Sequence, residues 1–230
     1  MNKTYYITRS DEFDIKEMDS IDLNPDLEVK INTKYILLLN KYVEEIYIYD
    51  CETKSSIINN PIKFKGIKYF DFHSLFKEIF FVCEGSNVKI YEIDIKQKNI
   101  IELSLIKGHF SQIIFASFHP LNANILLTIS DDKNINIYDI TKSLPINHIC
   151  LEENFIFNIK WGTFNVGFLS VGKTVINYFN YNNFYINEVN ELKLNRLITD
   201  FHFFNDEILI VIDKGFIYLI TIDLEIFFLI

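Results

Sequence analysis

The chain has 230 residues, 49% of them apolar, so it is long enough to bury a sizeable core in one large domain or two small ones. Its 22 Phe and 13 Tyr, against 7 Gly and 4 Pro, favour β-strands. A net charge of −9 opposes direct binding to nucleic acid, which usually needs a basic surface. Cys51, Cys83 and Cys150 form no Cys-x-x-Cys pair, so they predict neither a zinc site nor a redox motif, and their sparse use indicates a reducing compartment.

The N-terminal segment predicts a partial unit, at residues 1–22, that contains two strands. Residues 3–8 have the pattern of a strand, and residues 11–22 can supply the next one. The segment is polar and charged, so it does not resemble a signal peptide. The longest apolar stretch, 215–230, is interrupted by Asp223 and Glu225 and is short for a membrane span. We therefore expect a cytoplasmic or nuclear protein that is neither secreted nor bound to a membrane.

A pattern of four strands then recurs about every 42 residues. Aromatic residues near the ends of the third strands are spaced by 42, 47, 40 and 40 residues, at Tyr49, Tyr91, Tyr138, Tyr178 and Tyr218. Those of the first strands are spaced by 46, 43 and 42 residues, at Phe72, Phe118, Trp161 and Phe203. Fourth strands are expected at 55–64, 99–106, 146–151, 184–194 and 225–230. The chain thus predicts one domain, 1–230, whose full units are 27–64, 67–106, 113–151, 155–194 and 197–230.

The third unit carries the clearest pattern. Its strand-like runs lie at 113–118, 124–129 and 134–140, after the pair Gly108-His109. The polar run Ser130-Asp131-Asp132-Lys133 predicts a tight turn between the last two strands. The third strand ends in Tyr138-Asp139.

This unit resembles the WD40 repeat, whose signature is Gly-His near the start and Trp-Asp at the end of the third strand. Here Gly108-His109 matches the first pair, and Tyr138-Asp139 replaces the second. The resemblance implies a buried structural tetrad in which His109, Asp132, Thr128 and Tyr138 take the family's roles. The run Phe118-His119-Pro120, followed by 158–161, is also similar to coronin-like propellers. These residues are common to many WD40 proteins and do not single out actin as a partner.

The resemblance implies an all-β fold, a WD40-type β-propeller of four-stranded blades. The count is about five full blades plus the N-terminal half-blade, and a seven-bladed ring at this repeat length needs roughly 280 residues. Three alternatives follow: a truncated gene product, an open ring that a partner chain completes, or a six-bladed ring with one thin blade.

The function expected from this resemblance is a non-catalytic scaffold or adaptor that binds other proteins through propeller loops and faces. The acid excess favours partners with basic peptides or tails. The alternatives are a propeller fragment completed by a partner chain within a larger multi-subunit complex, or an enzyme on a propeller scaffold.

The enzyme alternative needs convergent reactive groups, and the sequence predicts no catalytic residue, cofactor or metal site. His73, His119 and His202 occur in Phe-His pairs at equivalent points of the first strands and would form a metal site only if they converged near the axis. No P-loop, G-x-S-x-G or G-x-G-x-x-G motif is present, nor the Phe-Arg-Arg-Gly of lipid-binding propellers. Asp131 and Asp132 form a carboxylate pair, but adjacent residues in a turn point apart. The remaining charged groups are interpreted as solvated surface: Glu44-Glu45, Glu152-Glu153, Lys63, Lys65 and Lys68.

Overall fold

The computed structural model describes residues 27–142, 144–150, 156–162, 167–172, 174–182, 185–194, 197–203, 208–213, 216–221 and 226–229. The half-blade predicted at 1–22 and the pair Glu152-Glu153 lie outside these residues. All regular elements in the described part are strands: β1 (Leu27–Ile31), β2 (Tyr35–Asn40), β3 (Glu45–Asp50), β4 (Ile62–Lys63), β5 (Ile67–Phe72), β6 (Ile79–Glu84), β7 (Asn87–Asp94), β8 (Asn99–Ile106), β9 (Ile113–Phe118), β10 (Ile125–Ser130), β11 (Asn134–Asp139), β12 (Pro145–Cys150), β13 (Ile156–Trp161), β14 (Gly167–Gly172), β15 (Val175–Asn182), β16 (Tyr185–Lys193), β17 (Asp200–Phe203), β18 (Ile208–Asp213), β19 (Phe216–Thr221) and β20 (Ile226–Leu229).

The strands form five antiparallel sheets, and each sheet contains four strands that are consecutive in the chain. This confirms the predicted all-β class and the four strands per unit. Short polar turns join the strands, and several residues in or beside them adopt a positive φ, as Gly85 (φ 60°) and Lys133 (φ 65°) do. No helix in the described part is long and apolar enough to cross a membrane.

The fourth strand of the first sheet differs from the prediction. The sequence predicts a continuous strand over 55–64, but the strand is limited to Ile62–Lys63, and Ser56 adds an isolated bridge to Tyr49 of β3. Between these two pairings the chain leaves β3, because the N–H of Asn59 donates to the carbonyl of Lys98, in the turn before β8 of the second sheet (3.2 Å). The apolar residues that suggested a strand are instead buried within this looped segment, as Ile57 and Ile58 show.

A bulge recurs where the third and fourth strands pair. Its position changes which third-strand residues are equivalent to Tyr138 in two of the sheets. It falls immediately before Tyr91, Tyr138, Phe179 and Ile220 in the second to fifth sheets. The aromatic spacing had predicted Tyr178 and Tyr218 as the counterparts of Tyr138. The register instead gives that position to Phe179 and Ile220, because aromatic residues stand at several points along these strands and spacing alone cannot choose among them.

The sheets associate through their first strands, β1, β5, β9, β13 and β17. Rings of Tyr69 and Phe115 meet at 4.5 Å between β5 and β9. The indole Nε1 of Trp161 donates to the carbonyl of Ser117 (3.2 Å) between β9 and β13. Lys160 Nζ donates to the carbonyl of Phe201 (2.6 Å), which links β13 to β17. These contacts join consecutive sheets in a blade-like arrangement, and among the described residues no closed ring is shown.

Candidate functional site

The four residues of the expected tetrad lie in and around the third sheet. His109 is in the connection before β9, Thr128 is on β10, Asp132 is in the following turn and Tyr138 is on β11. His109 Nδ1 lies 3.0 Å from Asp132 Oδ2, and its Nε2 lies 2.7 Å from Thr128 Oγ1. Backbone N–H groups of Phe110 and Asn134 also donate to the Asp132 carboxylate. The structure therefore connects three of the four predicted residues by hydrogen bonds.

The partners of His109 determine its tautomer. A carboxylate can only accept, so Nδ1 carries the proton, and in the neutral ring Nε2 accepts from the Thr128 hydroxyl. Burial lowers the pKa of His109 below its usual 6.5, although Asp132 opposes this. Burial raises the pKa of Asp132, but the Phe110 N–H and the His109 ring outweigh it, and the net pKa is lowered. Both nitrogens of His109 are thus engaged inside the protein.

Tyr138 joins this region through a residue that the sequence analysis did not single out. Asn136, which is almost completely buried, donates from Nδ2 to the Tyr138 hydroxyl (3.0 Å) and to the carbonyl of Gly108 (3.3 Å). Its Oδ1 accepts from His148 Nδ1 (2.7 Å). The available signal was a single amide residue inside the apolar run 135–138, since a polar side chain in a buried strand needs partners.

A second group of polar residues lies where the first strands meet. The penultimate residues of β1, β5, β9 and β13 are Lys30, Asp71, Ser117 and Lys160, which we call the polar tier. All four line a cavity of about 670 Å³, the first-strand cavity. Aromatic side chains complete its wall, among them Tyr69, Phe115 and Trp161. Ser74, Pro120 and Gly162 also line it and lie just beyond β5, β9 and β13, so the cavity reaches the turns between the first and second strands.

The charged groups of the polar tier interact with neighbouring side chains. Lys30 Nζ donates to Asp71 Oδ2 (3.2 Å) and to the Tyr69 hydroxyl (3.3 Å), which itself donates to Asp71 (3.2 Å). Burial, followed by the nearby Asp71 carboxylate, raises the pKa of Tyr69 well above its usual value, so the phenol stays protonated. Burial lowers the pKa of Lys160, and the attraction of Asp200 opposes this.

The histidines considered as metal ligands have other roles. His73 and His119 follow β5 and β9, and the Nδ1 of each accepts two backbone N–H groups of its own turn. The His73 ring stacks on Phe118 at 4.0 Å, and the His119 ring meets Trp161 at 4.6 Å. His202 is not at the equivalent position, because it lies within β17 and not after it. Its register partner is Ile210 of β18. The described residues contain no group of three or more His, Cys, Asp or Glu placed to bind a metal ion.

The other charged candidates have local partners or face solvent. Glu44 Oε1 accepts the N–H of Gly66 (2.8 Å), and Glu45 forms an ion pair with Lys63 (3.4 Å). Asp131 is exposed beside the engaged Asp132, and Lys65 and Lys68 are exposed as well. The three cysteines are free, and burial raises the pKa of the Cys83 thiol.

No protein-family model matches the sequence, and no curated protein matches it.

Proposed function

We propose that the protein is a non-catalytic interaction scaffold of the WD40 propeller type, which binds other proteins at one end of its sheets. The observation that carries this proposal is a set of exposed apolar side chains in the same turns as Ser74 and Pro120, two residues that line the first-strand cavity. Leu75 is 47% exposed, Phe76 49% and Leu121 60%. Exposed apolar groups beside a polar cavity are typical of surfaces that bind other proteins.

These side chains lie on loops that hydrogen bonds hold in place. The loops are the turns between the first and second strands, and we call the end of the sheets that carries them the first-turn end. His73 Nε2 contacts the carbonyl of Ala123 (2.9 Å), and Ser74 Oγ donates to the carbonyl of His119 (2.7 Å). Asn32 Nδ2 donates to the carbonyl of Lys77 (3.0 Å), which ties the first sheet to the second. A surface ordered before binding loses less conformational entropy when a partner docks.

Two further features support the WD40 assignment within this proposal. The five sheets repeat one strand order, and the hydrogen bonds of His109 to Asp132 and Thr128 match the arrangement implied by the family resemblance. The net charge of −9 steers basic partners toward the molecule as a whole. The protein would then serve as one subunit of a larger assembly.

Affinity capture from the native cell extract tests the proposal. We expect the wild-type chain to retain stoichiometric partners through a salt wash, and the double variant Phe76→Ser, Leu121→Ser to lose them. The matched control is Phe110→Ser, because Phe110 is 95% exposed but lies in the connection between β8 and β9, at the opposite end of the sheets. Recovery of the wild-type chain alone, or equal retention by the double variant, would contradict the proposal.

A further inference from the structure

Two buried histidines hold the turns that carry the exposed apolar side chains of the first-turn end. His73 Nδ1 accepts the backbone N–H groups of Leu75 (2.9 Å) and Phe76 (3.2 Å). In the next sheet, His119 Nδ1 accepts the equivalent groups two and three residues further along the chain, at 3.0 and 3.1 Å. The backbone of the proposed binding surface is therefore fixed by two imidazole nitrogens.

These hydrogen bonds require the neutral form of each ring. An acceptor nitrogen carries no proton, whereas both nitrogens of a charged imidazolium are donors. His73 carries its single proton on Nε2, which lies 2.9 Å from the carbonyl of Ala123. A second proton, on Nδ1, would place an N–H group against two backbone N–H groups. Each protonated turn would thus lose two hydrogen bonds and gain a repulsive contact.

The first sheet contains the same turn with a side chain that does not titrate. Asn32 Oδ1 accepts the N–H groups of Lys34 and Tyr35, both at 2.8 Å, again two and three residues further along the chain. An amide side chain neither gains nor loses a proton near neutral pH. This turn is therefore an internal reference for the two turns that depend on histidine.

Two further contacts connect the histidine turns to each other. The contact from His73 Nε2 to Ala123 reaches the turn after β9. Ser74 Oγ, in the turn after β5, donates to the carbonyl of His119 (2.7 Å). Opening of one turn thus removes contacts that hold the other, so we expect the two turns to respond together.

Burial opposes protonation of both rings while the turns are closed. It lowers the pKa of His73 and His119 below the ordinary 6.5, and for His73 the Ala123 carbonyl opposes this. In an open turn the ring is exposed to water, and its pKa returns toward 6.5. Below that pH the open form binds more protons than the closed form, so acidification favours opening, by at most about tenfold per pH unit for each histidine.

No charged group among the described residues contributes to the pKa of either histidine. Asp71 pairs with Lys30 (3.2 Å), Glu78 pairs with Lys34 (3.0 Å), and Lys77 is exposed. β9 and the turn after it contain no Asp, Glu, Lys or Arg. On the other side of His119, Lys160 donates to a backbone carbonyl, and burial raises the pKa of Tyr181, which stays neutral. The response to pH therefore belongs to the two rings.

We propose that protonation of His73 and His119 opens the turns after β5 and β9, so that acidification releases a partner bound at the first-turn end. The open turns no longer hold Leu75, Phe76 and Leu121 in one arrangement, and a partner that needs this arrangement binds less tightly. The inference rests on the proposed scaffold function for this consequence, whereas the opening itself is a property of the chain alone.

Amide hydrogen exchange of the full chain tests the opening without any partner. The measured quantity is the protection of each N–H group, which compares its exchange rate with that of an unstructured peptide at the same pH. Between pH 7 and pH 5.5 we expect the protection of the amides that the two histidines hold to fall about 5-fold. The amide of Tyr35, which Asn32 holds, should lose less protection.

Variants assign the response to the two histidines. The double variant His73→Asn, His119→Asn gives all three turns an amide side chain, so it should keep its protection at pH 5.5. It should also retain captured partners in a wash at pH 5.5 that releases them from the wild-type chain. His148→Asn is the matched control, because His148 is exposed on β12 and lies outside both turns. It should respond to pH as the wild-type chain does. Circular dichroism at pH 7 establishes that each variant is folded.

Unchanged protection in the two turns, an equal loss at Tyr35, or the same loss in the double variant would overturn the inference. Retention of partners by the wild-type chain at pH 5.5 would overturn it as well. The scaffold proposal would survive each of these results, because it depends on capture at pH 7. Failure of that capture would remove the scaffold proposal, and hydrogen exchange would still decide whether the turns open.

Discussion

Gly108 occupies a position that a side chain cannot share. Its φ is 150°, a conformation that other residues rarely adopt, and a Cβ built there lies 2.6 Å from the Tyr138 hydroxyl. The close approach lets the carbonyl of Gly108 accept from Asn136, which also donates to Tyr138. The glycine therefore permits the buried polar contacts beside His109.

Replacement of this glycine tests that role. We expect Gly108→Ala to lower the free energy of unfolding by about 2–4 kcal/mol, through backbone strain and the displacement of Tyr138. Gly85→Ala is the matched control, because Gly85 also has a positive φ (60°) but no atom lies within 4 Å of the built Cβ. It should cost only about 1 kcal/mol. Chemical denaturation measures both, and equal costs would contradict the account.

Three buried histidines couple the stability of the fold to pH. Burial lowers the pKa of His73, His109 and His119 below the ordinary 6.5. As the pH falls below 6.5, the unfolded chain gains protons that the folded chain does not bind, so stability is present above that pH and is lost below it. Between pH 7 and pH 5 we expect the free energy of unfolding to fall, by at most about 1.4 kcal/mol per pH unit for each histidine.

His119→Asn tests this coupling with a residue that the chain already uses in the same way. In the first sheet, Asn32 Oδ1 accepts the N–H groups of Lys34 and Tyr35, as His119 Nδ1 accepts those of Leu121 and Asn122. The variant should keep the turn but show a smaller loss of stability between pH 7 and pH 5. An unchanged pH dependence, measured by denaturation at each pH, would exclude His119 as a contributor.

At the scale of the elements, the contact between the third and fourth sheets depends strongly on Trp161. Its ring packs against His119 and Phe168, and its Nε1 donates to Ser117. Trp161→Phe should lower the free energy of unfolding by about 1–2 kcal/mol, since it removes the hydrogen bond and part of the packing. Circular dichroism follows this transition, and an unchanged midpoint would show that the contact does not stabilise the fold.

Strand patterns were predictable because alternation and aromatic spacing survive in each unit. The predicted runs 113–118 and 99–106 coincide with β9 and β8. The bulge before Phe179 was not predictable, because an extra residue in one strand leaves no clear mark on the spacing. Tyr178 is predicted in place of Phe179 for a different reason, since both positions are aromatic and spacing alone cannot choose between them.

The candidate site was predictable only in part. Gly108-His109 and Asp132 carry a recognisable pattern, and it led to the hydrogen-bonded group around His109. The polar tier has no such pattern, because its members are Lys30, Asp71, Ser117 and Lys160, which share a position at the strand ends and not a residue type. That position becomes visible only when the strands are aligned by their pairing.

At the scale of the whole molecule, the two ends of the sheets differ in the groups that they expose. The first-turn end combines the cavity with Leu75, Phe76 and Leu121, whereas the opposite end carries the buried His109 contacts and the exposed Phe110. Hydrogen bonds join the loops of the first three sheets at the first-turn end. The scaffold proposal therefore requires partners to bind at the first-turn end.

Photo-cross-linking in the native cell extract shows which end of the sheets contacts a partner. A benzoylphenylalanine placed at Leu121 lies at the proposed surface, and the same group placed at Phe110 provides the control at the opposite end. We expect discrete cross-linked species from position 121 and none of comparable yield from position 110. Cross-links from position 110 alone, or from neither position, would contradict it.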